Sequence, residues 1–121
     1  MPRSITIALD IMSGDNGPSP ALTGAFKSLD LIDDLKMILV GDESLIENKI
    51  DAANKNRVEI VHTDEFIKMD EDLVHAIRNK KKSSMRLAVN CVKEAKAQAC
   101  VSAGNTGALM SISKIILKTI N

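Results

Sequence analysis

The sequence predicts an α/β fold, a partial doubly wound parallel sheet with helices on both faces. Short apolar runs of strand type alternate along the chain with stretches of helical periodicity, the pattern of a parallel sheet covered by helices. Residues 37–40 are apolar at every position, as in a strand buried on both faces. Two glycine-bearing turns, at residues 10–18 and 102–107, each follow a strand pattern, and ligands of such sheets bind beyond the carboxyl ends of the strands.

Each element has its own warrant. Ile5, Ile7 and Leu9 alternate with Thr6 and Ala8 and form the first strand. It runs into Asp10 and the punctuated stretch Ser13-Gly14-Asp15-Asn16-Gly17-Pro18. Ser19 followed by Pro20 predicts a helix start, with Ser as N-cap and Pro in the first turn. That helix sets Leu22, Ala25, Phe26 and Leu29 on one face and ends between Leu29 and Ile32. After the strand at 37–40, Gly41-Asp42 turns the chain, and Asp42 caps a predicted helix through residue 54 with Leu45, Ile46, Ile50 and Ala53 as its inner stripe. A third strand at 58–61 is followed by a polar stretch at 62–72 and a short helix at 73–79. Ser83 or Ser84 starts the next helix, with Leu87, Ala88, Cys91, Val92 and Ala95 at helical spacing. A short strand at 99–101, the glycine-rich turn and a helix at 108–120 complete the order β-α-β-α-β-α-α-β-α.

Composition removes several classes of function. The 121 residues suffice for one domain, and 45% hydrophobic with 26% charged residues is a folded balance. Lys plus Arg and Asp plus Glu number 16 each, so no whole-chain charge draws nucleic acid or an anionic membrane. Aromatic residues are 2%, both Phe, which excludes a base-stacking platform. Cys91 and Cys100 fit no common zinc spacing, nor do His62 and His75. The cysteines are expected to be reduced small hydrophobes in a cytoplasmic protein. The start Met1-Pro2-Arg3-Ser4 has no signal-peptide core, and no apolar run approaches the ~20 residues that span a bilayer. The last helix carries Ile112, Ile115, Ile116, Leu117 and Ile120, a face wider than a solvated helix wants. The expectation is a truncated sheet that lacks neighbours.

The sharpest local signal is Val101-Ser102-Ala103-Gly104-Asn105-Thr106-Gly107-Ala108-Leu109. A strand feeds a turn in which Gly104 and Gly107 admit close backbone approach, and a helix opens with unpaired N–H groups and a dipole that favour an anion. Ser102, Asn105 and Thr106 add side-chain donors, so the turn can cradle phosphate or stabilise an oxyanion. The plainer alternative is a tight turn with Thr106 as an ordinary N-cap. The run matches neither nucleotide-binding glycine fingerprint. A second signal is Asp10 and Asp15 beside Gly14, which can position a substrate, act as acid or base or hold a metal, or simply form a turn. A third is the basic cluster Arg78, Lys80, Lys81, Lys82 and Arg86 around Ser83 and Ser84, which can hold phosphate or an acidic partner, or be a solvated face. His62 is as readily structural as functional, and His75 is expected on the surface.

These pieces occur together, in order. Ile7-Ala8-Leu9-Asp10, Met12, Gly14-Asp15 and Pro18, Val40-Gly41-Asp42, Val61-His62, Met69-Asp70, Lys80-Lys81 with Ser83-Ser84-Met85, and above all residues 101–109 resemble the phosphate acyltransferases of phospholipid synthesis, the bacterial PlsX family. The resemblance runs from Ile5 to the end of the chain. Ser13 stands where that family usually has glycine, Gly17 where it has alanine, Leu73 where it has proline and Asn79 where it has a basic residue. The resemblance implies an isocitrate/isopropylmalate dehydrogenase-like sheet, of which residues 1–121 are the N-terminal α/β part. It implies transfer of a fatty acyl group from acyl carrier protein to inorganic phosphate without a cofactor. Asn105, Thr106 and Asp10 are then the expected catalytic residues, and Ser102, Gly104, Gly107, Gly14, Asp15, Lys80, Lys81 and Ser84 the expected substrate contacts. Longer members are expected to be homodimers with peripheral membrane association. The competing expectations are a phosphate acetyl- or butyryltransferase-like enzyme using coenzyme A thioesters, and a non-catalytic remnant.

Overall fold

The computed structural model describes residues 4–118. Its strands are β1 (Ile5–Asp10), β2 (Leu35–Gly41), β3 (Val58–His62) and β4 (Ala99–Ser102). The helices are α1 (Ser19–Leu31), α2 (Glu43–Ile46), α3 (Leu73–Asn79), α4 (Ser84–Lys93) and α5 (Thr106–Leu117). The strands form one sheet in the order β3-β2-β1-β4. Every pairing is parallel, with Asp10 opposite Val40 on one side and Ser102 on the other.

Both faces of the sheet are covered, as the alternation predicts. On one face Leu22, Ala25 and Leu29 of α1 and Ile46 of α2 pack on Leu35, Met37 and Leu39. On the other, Ala88 and Cys91 of α4 pack on Ala8, Ile38 and Val40. This is why β2 has no polar alternation: all of residues 37–40 are buried. α5 leans on α3 and α4 through Ile112, Ile116, Val89 and Ala76. Ile115 and Leu117 of the expected wide apolar face are exposed, and Ile120 lies outside the described residues.

Several boundaries differ from the expectation. The helix after Asp42 is a single turn, although Asp42 does cap it by accepting from the Ser44 N–H. Beyond it run 3₁₀ turns at Glu47–Lys49 and Lys55–Arg57, and Leu45 and Ala53 are exposed rather than inward. Asp51 Oδ1 accepts the Asn54 N–H at 3.0 Å, a local turn that competes with a helix. Arg57 meanwhile donates to the carbonyls of Leu29, Ile32 and Leu35, closing the end of α1. Pro18, not Ser19, occupies the N-cap position of α1, and no side chain caps it.

The connections place the site. The chain steps from β1 to β2 to β3 in one direction and then returns through α3 and α4 to β4, on the far side of β1. Strand order therefore reverses between β1 and β4, and a crevice opens there at the carboxyl ends.

Candidate functional site

Asp10 closes β1 and is completely buried. Its Oδ1 accepts the N–H groups of Met12 at 3.0 Å and Ser13 at 3.2 Å, folding the β1 turn back on the strand. Its Oδ2 accepts from the Ser102 hydroxyl at 2.8 Å, on the strand across the crevice. Ser102 Oγ in turn accepts the Gly104 N–H at 3.1 Å. One chain of hydrogen bonds thus joins the two turns, and an acceptor-only carboxylate suits its centre. Expected as a catalytic residue, Asp10 is fully buried with both carboxylate oxygens engaged.

Steric fit reinforces that link. A Cβ on Gly104 would stand 2.7 Å from Ser13 Cβ and 2.7 Å from Met85 Cε. Glycine at 104 is what leaves room for Ser13, the residue that departs from the resembled family's glycine. Gly14 has φ +116°, a backbone state that side chains resist, and it lies against Ala103.

The opening of α5 corrects the expected cap. Asn105 is the N-cap: its Oδ1 accepts the Ala108 N–H at 3.1 Å, and Thr106 is the first helical residue. The Asn105 Nδ2 also donates to the Met69 carbonyl at 2.9 Å, tying the loop between β3 and α3 to the turn. The Leu109 N–H returns to the Asn105 carbonyl. The N–H groups of Thr106 and Gly107 have no hydrogen-bond partner among the described residues, and both residues are exposed. They are the unspent donors of a twelve-residue helix.

A cleft of about 410 Å³ separates Gly14 and Asp15 from residues 66–70, and the Asp15 side chain is exposed on its wall. The structure thus gathers Asp10, Gly14, Asp15, Ser102, Gly104, Asn105, Thr106 and Gly107 at the carboxyl ends of β1 and β4. Lys80 and Ser84 behave differently. Lys80, expected to meet an anionic substrate, is paired with Glu71 and donates to the Phe66 carbonyl. Ser84 is buried, its hydroxyl has no partner among the described residues, and its N–H donates to the Glu65 carbonyl. Ser83 is the N-cap of α4. Lys81 and Lys82 are exposed.

Burial works against the charged form of Glu71, but bonds from Lys80 and the Lys68 N–H hold its carboxyl below the usual glutamate range. Burial pushes the Cys100 thiol up, and the nearby Asp10 carboxylate adds to the rise, so a thiolate nucleophile is disfavoured there. His62 accepts the Glu43 N–H and serves structure, while His75 is exposed and contacts Asn79. Met69, Phe66 and Glu71 were not singled out from the sequence as site residues. Asp72, which caps α3, was the one ordinary signal in that aperiodic stretch. Among the described residues, no group of three or more His, Cys, Asp or Glu is placed to hold a metal ion, and no helix is long and apolar enough to cross a membrane.

A family model described as fatty acid synthesis protein matches residues 5–121, which contain both turns and all four strands. The chain belongs to this family, the PlsX family. Proteins named phosphate acyltransferase are similar to it: one from Shewanella baltica (strain OS155 / ATCC BAA-1091) is 50% identical over 120 residues. One from Shewanella halifaxensis (strain HAW-EB4) is 51% identical over 120 residues, and one from Shewanella woodyi (strain ATCC 51908 / MS32) 48% over 119. The alignments cover 97% of this chain for the first two and 96% for the third. The chain spans about a third of the length of these curated relatives, 35% in each case.

Proposed function

We propose that the β1–β4 crevice is part of a site where a fatty acyl group passes from acyl carrier protein to inorganic phosphate, giving acyl phosphate for phospholipid synthesis. The observation that carries this is the opening of α5 just beyond the carboxyl end of β4, where the Thr106 and Gly107 N–H groups are exposed and have no partner among the described residues, in a chain about half identical to proteins named phosphate acyltransferase. Phosphate is anionic at neutral pH and needs no strong base to attack. One of its oxygens adds to the thioester carbonyl carbon, and the carbonyl oxygen becomes a tetrahedral oxyanion. Collapse breaks the C–S bond, the carrier leaves as its thiolate, and acyl phosphate remains. The helix opening and the Thr106 hydroxyl hold the phosphate or the oxyanion. Asn105 fixes that opening through its Oδ1 cap and one Nδ2–H bond to the Met69 carbonyl, and its second Nδ2–H remains a donor. Exposed Lys81 and Lys82 supply positive charge for an acidic carrier. A cytoplasmic setting, homodimerisation and peripheral membrane contact belong to the same proposal for the longer relatives.

The test follows from the 35% coverage of the relatives. The 121-residue chain, and the same chain joined to the remaining part of a Shewanella relative, are incubated with phosphate and either acyl carrier or coenzyme A thioesters. The expected outcome is acyl phosphate from the joined enzyme with the carrier thioester, and none from the chain alone. Turnover only with the coenzyme A thioester would move the assignment to that substrate class, and robust turnover by the chain alone would sink the expectation that further site residues are needed.

A further inference from the structure

We propose that Asp10 is a positioning residue: acting through Ser102, it sets the turn that presents the α5 donors, and breaking that relay weakens phosphate binding. The inference rests on the proposed anion site at that turn. The carboxylate is fully buried, and each of its oxygens is occupied, by the Met12 and Ser13 N–H groups and by the Ser102 hydroxyl. Two main-chain donors and one hydroxyl occupy the carboxylate, which favours an orienting role over direct acid or base work. Positioning needs only rigidity, which these bonds offer. Ser102 Oγ receives the Gly104 N–H while giving its own proton to Asp10, so the direction of the whole relay is set by the carboxylate. Remove that acceptor and the hydroxyl is free to turn, and Gly104 loses a defined partner. Gly104 lies two residues before Thr106, and Asn105 between them is anchored to Met69. A rotation of the turn therefore reaches the exposed donors directly. Close packing of Gly104 on Ser13 and Met85 fixes how near the turns come, and the relay fixes how they are oriented.

The experiment uses the isotope-labelled 121-residue chain titrated with inorganic phosphate, read at the amides of Gly104, Thr106 and Gly107, with a melting curve for each variant. Asp10→Asn keeps the shape and the acceptor for Met12 and Ser13 but presents an NH₂ to Ser102. Ser102→Ala cuts the relay at its middle, and Ser102→Thr keeps the hydroxyl. Asp10→Asn and Ser102→Ala are each expected to weaken phosphate binding about tenfold, the weight of one net hydrogen bond. The double variant is expected to be no weaker than the worse single one, because the two act as a unit. Ser102→Thr is expected to retain the parent's affinity. If folded Ser102→Ala binds phosphate within about twofold of the parent, or the two losses add in full, the positioning role is overturned. A parent chain whose amides do not respond to phosphate, with chloride as control, overturns the anion site itself. Should Asp10→Asn fail to fold, the Ser102 pair decides the matter alone.

Discussion

At the scale of the residue, the crevice depends on side chains whose work is local and separable. Gly104 and Ser13 occupy one small space, since a Cβ at 104 would fall 2.7 Å from Ser13 Cβ. Gly104→Ala is expected to cost about 1–3 kcal/mol by overpacking. Adding Ser13→Gly should recover part of that loss, because Met85 Cε, the other obstacle, is the free end of a flexible side chain. Urea unfolding of the two single variants and the double variant checks this, and full additivity would refute the shared space. Asn105 and Thr106, adjacent in sequence, should part company in the same way. Asn105→Leu removes the cap and the Met69 tether and should lower stability by about 1–2 kcal/mol. Thr106→Val should leave the melting temperature nearly unchanged and, in the joined enzyme, reduce turnover, by about 100- to 1,000-fold if its hydroxyl meets developing charge. Equal turnover for Thr106→Val and parent would return this turn to the role of a plain helix opening.

At the scale of the element, the loop between β3 and α3 is held by Lys80, which reaches back to Glu71 and to the Phe66 carbonyl. Glu71 has its carboxyl held below the usual range in the fold. A carboxyl of that kind stabilises the fold fully above its unfolded pKa of about 4.3 and gives up that contribution as pH falls through the lower folded value. The melting temperature of Glu71→Gln should therefore fall less steeply on acidification below about pH 4 than that of the parent. Parallel acid limbs would exclude the link. The elements themselves were largely legible in the sequence. Unbroken apolar character marked β2, and Asp42 and Ser83 marked helix starts through ordinary capping chemistry. The helix expected through residue 54 does not form: Leu45, Ile46, Ile50 and Ala53 mimic helical spacing, whereas Asp51 closes a turn at Asn54 and Arg57 reaches back to the end of α1. The glycine turns were legible as places. The links that make them one site, Asp10 to Ser102 and Asn105 to Met69, were not, because they join residues 92 and 36 positions apart that no local pattern relates.

At the scale of the whole molecule, the sheet is unevenly clothed. Val101 on β4 is 50% exposed, and Met110 and Ile115 on α5 are 69% and 51% exposed. A groove of about 370 Å³ runs between α1 and β4, floored by Ile7, Leu9 and Met37. Apolar surface of this kind favours association. Sedimentation velocity of the 121-residue chain should show concentration-dependent self-association that Val101→Lys and Met110→Lys together reduce. A sharp monomer boundary at the highest concentration would count against it. The placement of β4 beside β1 also has a consequence in time. The β1–β2 and β2–β3 pairings close over short stretches of chain, while the Asp10–Ser102 contact must close across 92 residues. Loop closure on that span comes at a larger entropic cost, so the early sheet can form while its last strand is still seeking its place. During synthesis the crevice can form only once β4 has emerged and docked beside β1. Until β4 docks, Asp10 stands at an open edge with only its own turn for company, and the nascent chain has a fold before it has a site.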